Sequence, residues 1–253
     1  MELIDTHCHI DDIRFAADRD EVLARARRLG VKRLIVPGVT ADGWAGIAAL
    51  CDAQPGLYPA YGLHPLFVTE AADVKRLEHW LAGHPAVAVG EIGLDFHPPG
   101  ADRRLQQRLF EAQLVVAREA GLPVVLHVRK AHEEVLRSLR RSGVRGGTAH
   151  AFNGSLQQAQ RYLDLGFKLG FGGMLTYERS RRLRALAREL PAEALVLETD
   201  APDLTVAAHR GERNSPEYLP DCLQALAEVR DEPAEALAAQ TTRNALEVFA
   251  LEG

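Results

Sequence analysis

Four histidines and two carboxylates carry the chemistry that this sequence can perform: His7, His9, His127 and His150, with Glu91 and Asp200. His7 and His9 are two apart. In an extended strand such positions point to the same side, so two imidazoles can share a cation while Cys8 faces away. That spacing alone also fits polar caps on a strand end. His127 and His150 add weight, because each ends an apolar run that has no need of a polar group there. Glu91 and Asp200 stand at the ends of two further runs.

An imidazole and carboxylate mixture suits Zn²⁺, Mn²⁺ or Fe²⁺ better than Ca²⁺, whose ligands are nearly all oxygen. Six groups exceed the usual three protein ligands of one catalytic ion. Two divalent cations sharing Glu91 is the economical arrangement, with zinc, manganese or magnesium as candidates. A pair roughly 3.5–4 Å apart can clamp the attacking and leaving oxygens of an in-line displacement and supply hydroxide at neutral pH. Asp200, in Glu-Thr-Asp-Ala-Pro, can both hold a metal and take a proton from the attacking water. A turn or helix cap is its structural alternative. Glu198 shares its side-chain parity and is either a ligand or a group that orients a ligand histidine.

The elements that must position these groups are legible in the hydropathy. Short aliphatic runs at residues 3–4, 33–36, 57–61, 86–89, 123–126, 146–149, 167–170 and 195–197 alternate with amphipathic stretches such as 19–29, 103–120, 131–141, 156–165 and 179–189. Several stretches stop at an apolar–Gly pair, where glycine accepts a left-handed cap. Eight buried parallel strands alternating with helices predict an α/β fold, a (β/α)₈ TIM barrel over residues 1–253 as one domain. Additional C-terminal helices, at 217–229 and 233–250, are expected outside or across the bottom. A doubly wound sheet is the alternative, but no glycine-rich phosphate loop follows the first strand. Every candidate ligand then lies just past the carboxyl end of a strand, on the face where barrel active sites are built.

Composition bounds the remaining readings. Of 253 residues, 47% are hydrophobic and 26% charged, ordinary for a soluble globular chain. Three cysteines without metal spacing point to a reducing compartment, and no signal peptide or membrane span is evident, so the expected location is cytoplasmic with no membrane partner. The net charge of −5 argues against a broad basic coat for nucleic acid. It leaves a nuclease open, since bound cations can supply the positive charge facing a phosphate. A monomer is the working expectation.

The motifs, in order, are Asp-Thr-His-Cys-His at 5–9, Gly-Leu-His-Pro at 62–65, Gly-Glu-Ile-Gly-Leu-Asp at 90–95, His-Val-Arg-Lys-Ala at 127–131, His-Ala-Phe-Asn-Gly at 150–154 and Glu-Thr-Asp-Ala-Pro at 198–202. Together they resemble the TatD family of metal-dependent deoxyribonucleases almost end to end. The resemblance implies His7, His9 and Asp200 on one metal, His127 and His150 on the second, and Glu91 bridging both. It implies DNA as substrate and trimming of DNA ends. Two departures concern substrate contacts. Ala151 and Asn153 stand where the family commonly has Cys and Ser, and Val128 stands where it often has Ser or Thr.

His64, Arg129, Asn153, Arg213 and Asn214 are the substrate-side candidates. His64 can hydrogen-bond a phosphate oxygen or merely cap a strand. Arg129 can form a forked pair with phosphate, or a salt bridge orienting Glu91 or Asp95. Arg213 and Asn214 lie in a polar loop after strand eight, where function concentrates but where arginines are ordinarily just solvated. Trp44 and Trp80 sit in helical patterns that favour core, and Tyr177 is a candidate for stacking on a base. The competing functions are an ester or amide hydrolase, such as a deacylase of misacylated tRNA, and a non-enzymatic metal scaffold. Amidohydrolase barrels often bridge two metals through a carboxylated lysine at strand four. Here that strand offers Glu91, which favours the nuclease.

Overall fold

The computed structural model describes residues 1–67 and 72–252. Eight parallel strands form one sheet in chain order: β1 (Leu3–Asp5), β2 (Val31–Pro37), β3 (Leu57–Tyr61), β4 (Ala88–Asp95), β5 (Val124–Arg129), β6 (Gly147–Ala149), β7 (Phe167–Phe171) and β8 (Leu195–Leu197). Between them run α1 (Arg19–Arg28), α2 (Trp44–Ala53), α3 (Ala72–Gly83), α4 (Arg103–Ala120), α5 (His132–Ser142), α6 (Leu156–Leu163) and α7 (Arg181–Glu189). Two further helices follow, α8 (Leu219–Arg230) and α9 (Ala234–Phe249). The sheet closes nearly into a barrel between β8 and β1. Thr6 donates to the Leu197 carbonyl from N and Oγ1 at 3.0 and 3.1 Å. Thr199 donates to the Asp5 carboxylate from N and Oγ1 at 3.0 and 2.5 Å. The fold is the expected (β/α)₈ barrel.

Three boundaries bear on the site or the C-terminal helices and differ from the sequence expectation. Glu91 and His127 do not follow their strands but lie inside β4 and β5. Hydropathy ends at Val89 and Leu126, yet backbone pairing continues from Ile92 with Leu126 to Asp95 with Arg129. The expected helix at 217–229 begins at Leu219, after a 3-10 turn at Pro216–Tyr218.

α9 seals the end of the barrel away from the candidate ligands. Phe249 packs on Ile35, Ala60, Ala88 and Val125, and Ala245 on Ile4 and Val196, all buried. Burying a phenylalanine contributes roughly 1.5–3 kcal/mol. α4 is the longest helix, capped by Asp102 accepting from Leu105 N at 2.9 Å and ended by Gly121 at φ 67°. Its buried face carries two glutamines among its apolar residues. Gln113 pairs with both backbone groups of Leu63, at 2.8 and 3.2 Å, and Gln106 accepts from Asp95 N at 2.9 Å. The helix thereby fixes the β3 and β4 ends that carry His64 and Asp95. Trp44 is buried, its Nε1 donating to the Gly62 carbonyl, and Trp80 is half-buried against His84, so neither offers a face to substrate.

β4 carries a bulge. Val89 pairs with Val124 but Ile92 pairs with Leu126, so Gly90 and Glu91 together oppose Val125. In an unbroken strand Ala88 and Glu91, three apart, face opposite sides. The displaced backbone reaches past β3 to β2: Glu91 N donates to the Gly38 carbonyl at 2.9 Å and Gly38 N to the Gly90 carbonyl at 3.2 Å. No side chain fits in its path. A Cβ at Gly62 would stand 2.7 Å from the Gly90 carbonyl carbon, and one at Gly90 would stand 2.5 Å from Val125 Cβ.

Candidate metal centre

Glu91, 2% exposed, lies at the centre of the carboxyl-end face. Its Oε2 faces His7 Nε2 and His9 Nε2 at 3.4 and 3.5 Å. Its Oε1 faces His127 Nδ1 and His150 Nε2 at 2.9 and 3.1 Å, with His64 Nε2 at 3.6 Å. Asp200 Oδ1 adds to the first pair, 3.5 Å from His7 Nε2 and 3.8 Å from His9 Nε2. All six sequence-predicted ligands therefore meet in one place, along with His64. Their donor atoms fall into overlapping triads within coordinating reach, namely His7–His9–Glu91, His7–His150–Asp200 and His64–Glu91–His127.

The imidazole outer nitrogens identify which lone pairs face inward. His9 Nδ1 is 3.2 Å from the Pro37 carbonyl, which only accepts, so Nδ1 carries the proton and Nε2 presents a lone pair. His127 Nε2 is 3.1 Å from Asp95 Oδ2, leaving the Nδ1 lone pair toward Glu91. His7 Nε2 and His9 Nε2 are only 3.2 Å apart, and His127 Nδ1 and His150 Nε2 3.3 Å. Lone pairs crowded like this around a carboxylate repel one another unless positive charge lies between them. The electrostatics agree. Burial works against charge on His9 and His150, yet Glu91 and its neighbours raise them to about 9 and about 10. Burial likewise opposes the Glu91 charge, but His64, His7 and His150 hold its carboxyl well below the usual range. A nitrogen and oxygen donor set that gathers protons in this way fits a divalent cation, which replaces them on binding.

His64 is different. Its Nδ1 accepts from Leu66 N at 3.2 Å, and burial pushes its pKa down to about 4. In the neutral form its proton sits on Nε2, which points at the centre as a donor; when protonated it adds to the pull on Glu91. Glu198 is buried beneath His150. Its Oε1 accepts from Ala151 N at 2.5 Å and lies 3.8 Å from His150 Nδ1, and burial pushes it up to about 8. Its pocket exists because Gly170 and Gly172 have no side chains; a Cβ at Gly170 would run into the carboxylate. Asp200 itself takes φ 57° and Ala151, after His150, takes φ 44°, left-handed values uncommon outside glycine.

The other substrate-side candidates scatter. Arg129 is exposed at the end of β5 and its guanidinium has no hydrogen bond or ion pair among the described residues, so it bridges neither Glu91 nor Asp95. It lines a cleft of about 660 Å³ together with His127, His150, Asn153 and Asp200. Asn153 Oδ1 sits 3.1 Å from His132 Nε2. Arg213 is not in this cleft: its guanidinium pairs with both Asp18 oxygens at 2.8 and 2.7 Å and lies 4.3 Å over the Phe15 ring. Asn214 is buried and ties together the loop after β8, donating to the Thr199 and Asp203 carbonyls. Tyr177 donates to the Thr205 carbonyl and carries Arg179 on its ring. Sequence reasoning missed Asp5 and Asp95 as site residues. Asp5 accepts from His7 N at 3.2 Å while joined to Thr199, and Asp95 holds His127. Both lie inside the motifs, four or fewer residues from a ligand, which was the available signal.

A profile of the family described as TatD related DNase matches residues 4–250. An uncharacterized metal-dependent hydrolase of Escherichia coli strain K12, YjjV, is 41% identical over 251 residues, covering 97% of each chain. The 3'-5' ssDNA/RNA exonuclease TatD of Klebsiella pneumoniae strain 342 is 34% identical over 259 residues, covering 99% of this chain and 98% of its own. The crystal structure of YjjV superposes with a TM-score of 0.95 at 39% identity, covering 99% of this chain and 98% of that one.

Proposed function

The chain belongs to the family of TatD-related DNases and is a metal-dependent hydrolase, and on that premise we propose that it hydrolyses DNA phosphodiester bonds, as an exonuclease, with two divalent cations. The observation that carries this reading is the division of Glu91, one oxygen toward His7 and His9 and the other toward His127 and His150. His7, His9 and Asp200 would hold one cation, His127 and His150 the other, and Glu91 both. When bound, such a pair supplies an acidified water and offsets the charge developing on phosphate. The activity named for the Klebsiella relative, a 3'-5' ssDNA/RNA exonuclease, supports the substrate class.

The remaining steps belong to the chain's own side chains. Asp200 accepts the proton of the attacking water: burial raises its pKa, with His150 and His9 pulling against it, so a proton is held more readily than on an exposed carboxylate. His64 donates its Nε2–H to a phosphate oxygen, which a neutral imidazole does without competing for a metal position. Pro37 and Asp95 keep His9 and His127 in the tautomers that face inward. Arg129 pairs with the attacked phosphate from the cleft wall. The test is a metal-reconstituted assay on end-labelled single- and double-stranded DNA, with aminoacyl-tRNA run alongside. Stepwise shortening of the labelled strand is expected. Intact DNA with deacylated tRNA would replace the nuclease by an esterase on the same centre.

A further inference from the structure

The cleft that holds His150 and Asp200 is also lined by Arg179, Arg181 and Arg182, at the junction of β7 and α7. All three are exposed, and none makes a hydrogen bond or ion pair with the described residues. Arg179 lies 5.2 Å over the Tyr177 ring, which is itself fixed by its hydroxyl bond to Thr205. Stacking occupies the face of a guanidinium and leaves its N–H edge free. Arg182 is close enough to His132 to add to the lowering of that imidazole by burial, and His132 meets Asn153 on the cleft wall.

No free carboxylate of the cleft balances these charges. Glu198 is buried, Asp200 belongs to the metal centre, and Asp203 is bridged to Arg14 at 2.9 Å. Glu178, adjacent to Arg179 in sequence, makes no ion pair with the described residues. The arginines also stand at the wrong end of their helix. α7 has no acidic residue in its first turn, and Arg181 and Arg182 open it. Positive side chains at the positive end of a helix dipole repel it, and an anion seated among them removes that cost. A chain of net charge −5 thus concentrates unpaired positive charge in the wall of its reactive cleft.

We propose that Arg179, Arg181 and Arg182 form a second phosphate subsite, which holds a phosphate of the substrate other than the one attacked. The proposal rests on the phosphodiester reading above and narrows it: the preferred substrate carries several phosphates, as a nucleic acid strand does, rather than a lone phosphodiester.

The experiment compares metal-loaded wild type with Arg179→Gln and with the double variant Arg181→Gln/Arg182→Gln, after their thermal midpoints are shown to match. Two substrates are used, a dithymidine with one phosphodiester and a tetrathymidine with three. The ratio of kcat/KM for the longer over the shorter substrate should fall about tenfold in the variants, the loss of one well-placed charged contact. A second readout is the fluorescence anisotropy of a cleavage-resistant phosphorothioate thymidine strand across a salt series. The slope of log affinity against log salt should shrink by about 0.7 for each contact removed. An unchanged ratio together with an unchanged slope would overturn the subsite. If wild type cleaves neither thymidine substrate, the phosphodiester reading fails, and the anisotropy slope alone decides whether the arginines bind phosphate.

Discussion

Asp95 Oδ2 lies 3.1 Å from His127 Nε2, on the far side of the ring from Glu91. The pair fixes both the rotation of the imidazole and the nitrogen that bears its proton. Asp95→Ala should leave the barrel folded and weaken metal binding about 10–100-fold. Competition with a chelator measures this. Wild-type affinity in the variant would show that His127 needs no such partner.

Glu91→Ala should remove metal from both halves of the centre, since each pair of histidines faces one of its oxygens. The barrel should still melt cooperatively, because its core is the apolar strand interior and the α9 seal. Two ions retained per chain, by elemental analysis, would rule out the bridge.

Gly170→Ala should destabilise the protein by about 1–3 kcal/mol, the usual cost of forcing atoms into a filled interior. The added methyl meets the Glu198 carboxylate, which Ala151 N holds in place. Urea midpoints give the number. The double variant Gly170→Ala/Glu198→Ala should lose less than the sum of its two singles, since the second change removes the obstacle. Strict additivity would mean that the two groups do not touch.

Asp5 gives the metal-free protein a pH signature. Burial raises its pKa from 3.8 to about 7, with the bonds from Thr199 and His7 acting in the opposite direction. A folded-state pKa above the unfolded value means that folding favours the protonated acid. Its contribution is whole below pH 3.8 and is lost as pH rises through about 7. Asp5→Asn keeps an acceptor for the backbone donors but cannot ionise. Its stability should therefore vary less than wild type between about pH 4 and 7. Parallel stability curves for the two chelated proteins would place the titration elsewhere.

The candidate ligands were legible because polar residues interrupt runs that are otherwise aliphatic, at strand after strand. What hydropathy could not register is pairing: Glu91 and His127 end their apolar runs but not their strands. Nor could local spacing say where a long side chain ends up. Arg213 belongs to a loop on the reactive face, yet its guanidinium turns to Asp18, 195 positions earlier in the chain. The roles of Asp5 and Asp95 are likewise tertiary. Their motifs were visible, but which nitrogen each acid faces depends on how β8 meets β1 and how β5 lies beside β4.

The bulge in β4 gives the Glu91 carboxylate its reach through the main chain instead of the side chain. Because the Gly90–Glu91 backbone is drawn inward onto Gly38, a side chain with two methylenes suffices to stand between two sets of histidines. A fourth strand without the extra residue would not carry its backbone across to Gly38, and position 91 would then face the histidines from a different place. Lysine at position 91 would put a longer arm where the bulge leaves room for two methylenes, and a strand without the bulge would no longer press the Gly90 backbone against Gly62. A search for relatives that share this chemistry should accordingly weigh Gly62, Gly90 and the length of the strand beside the six candidate ligands.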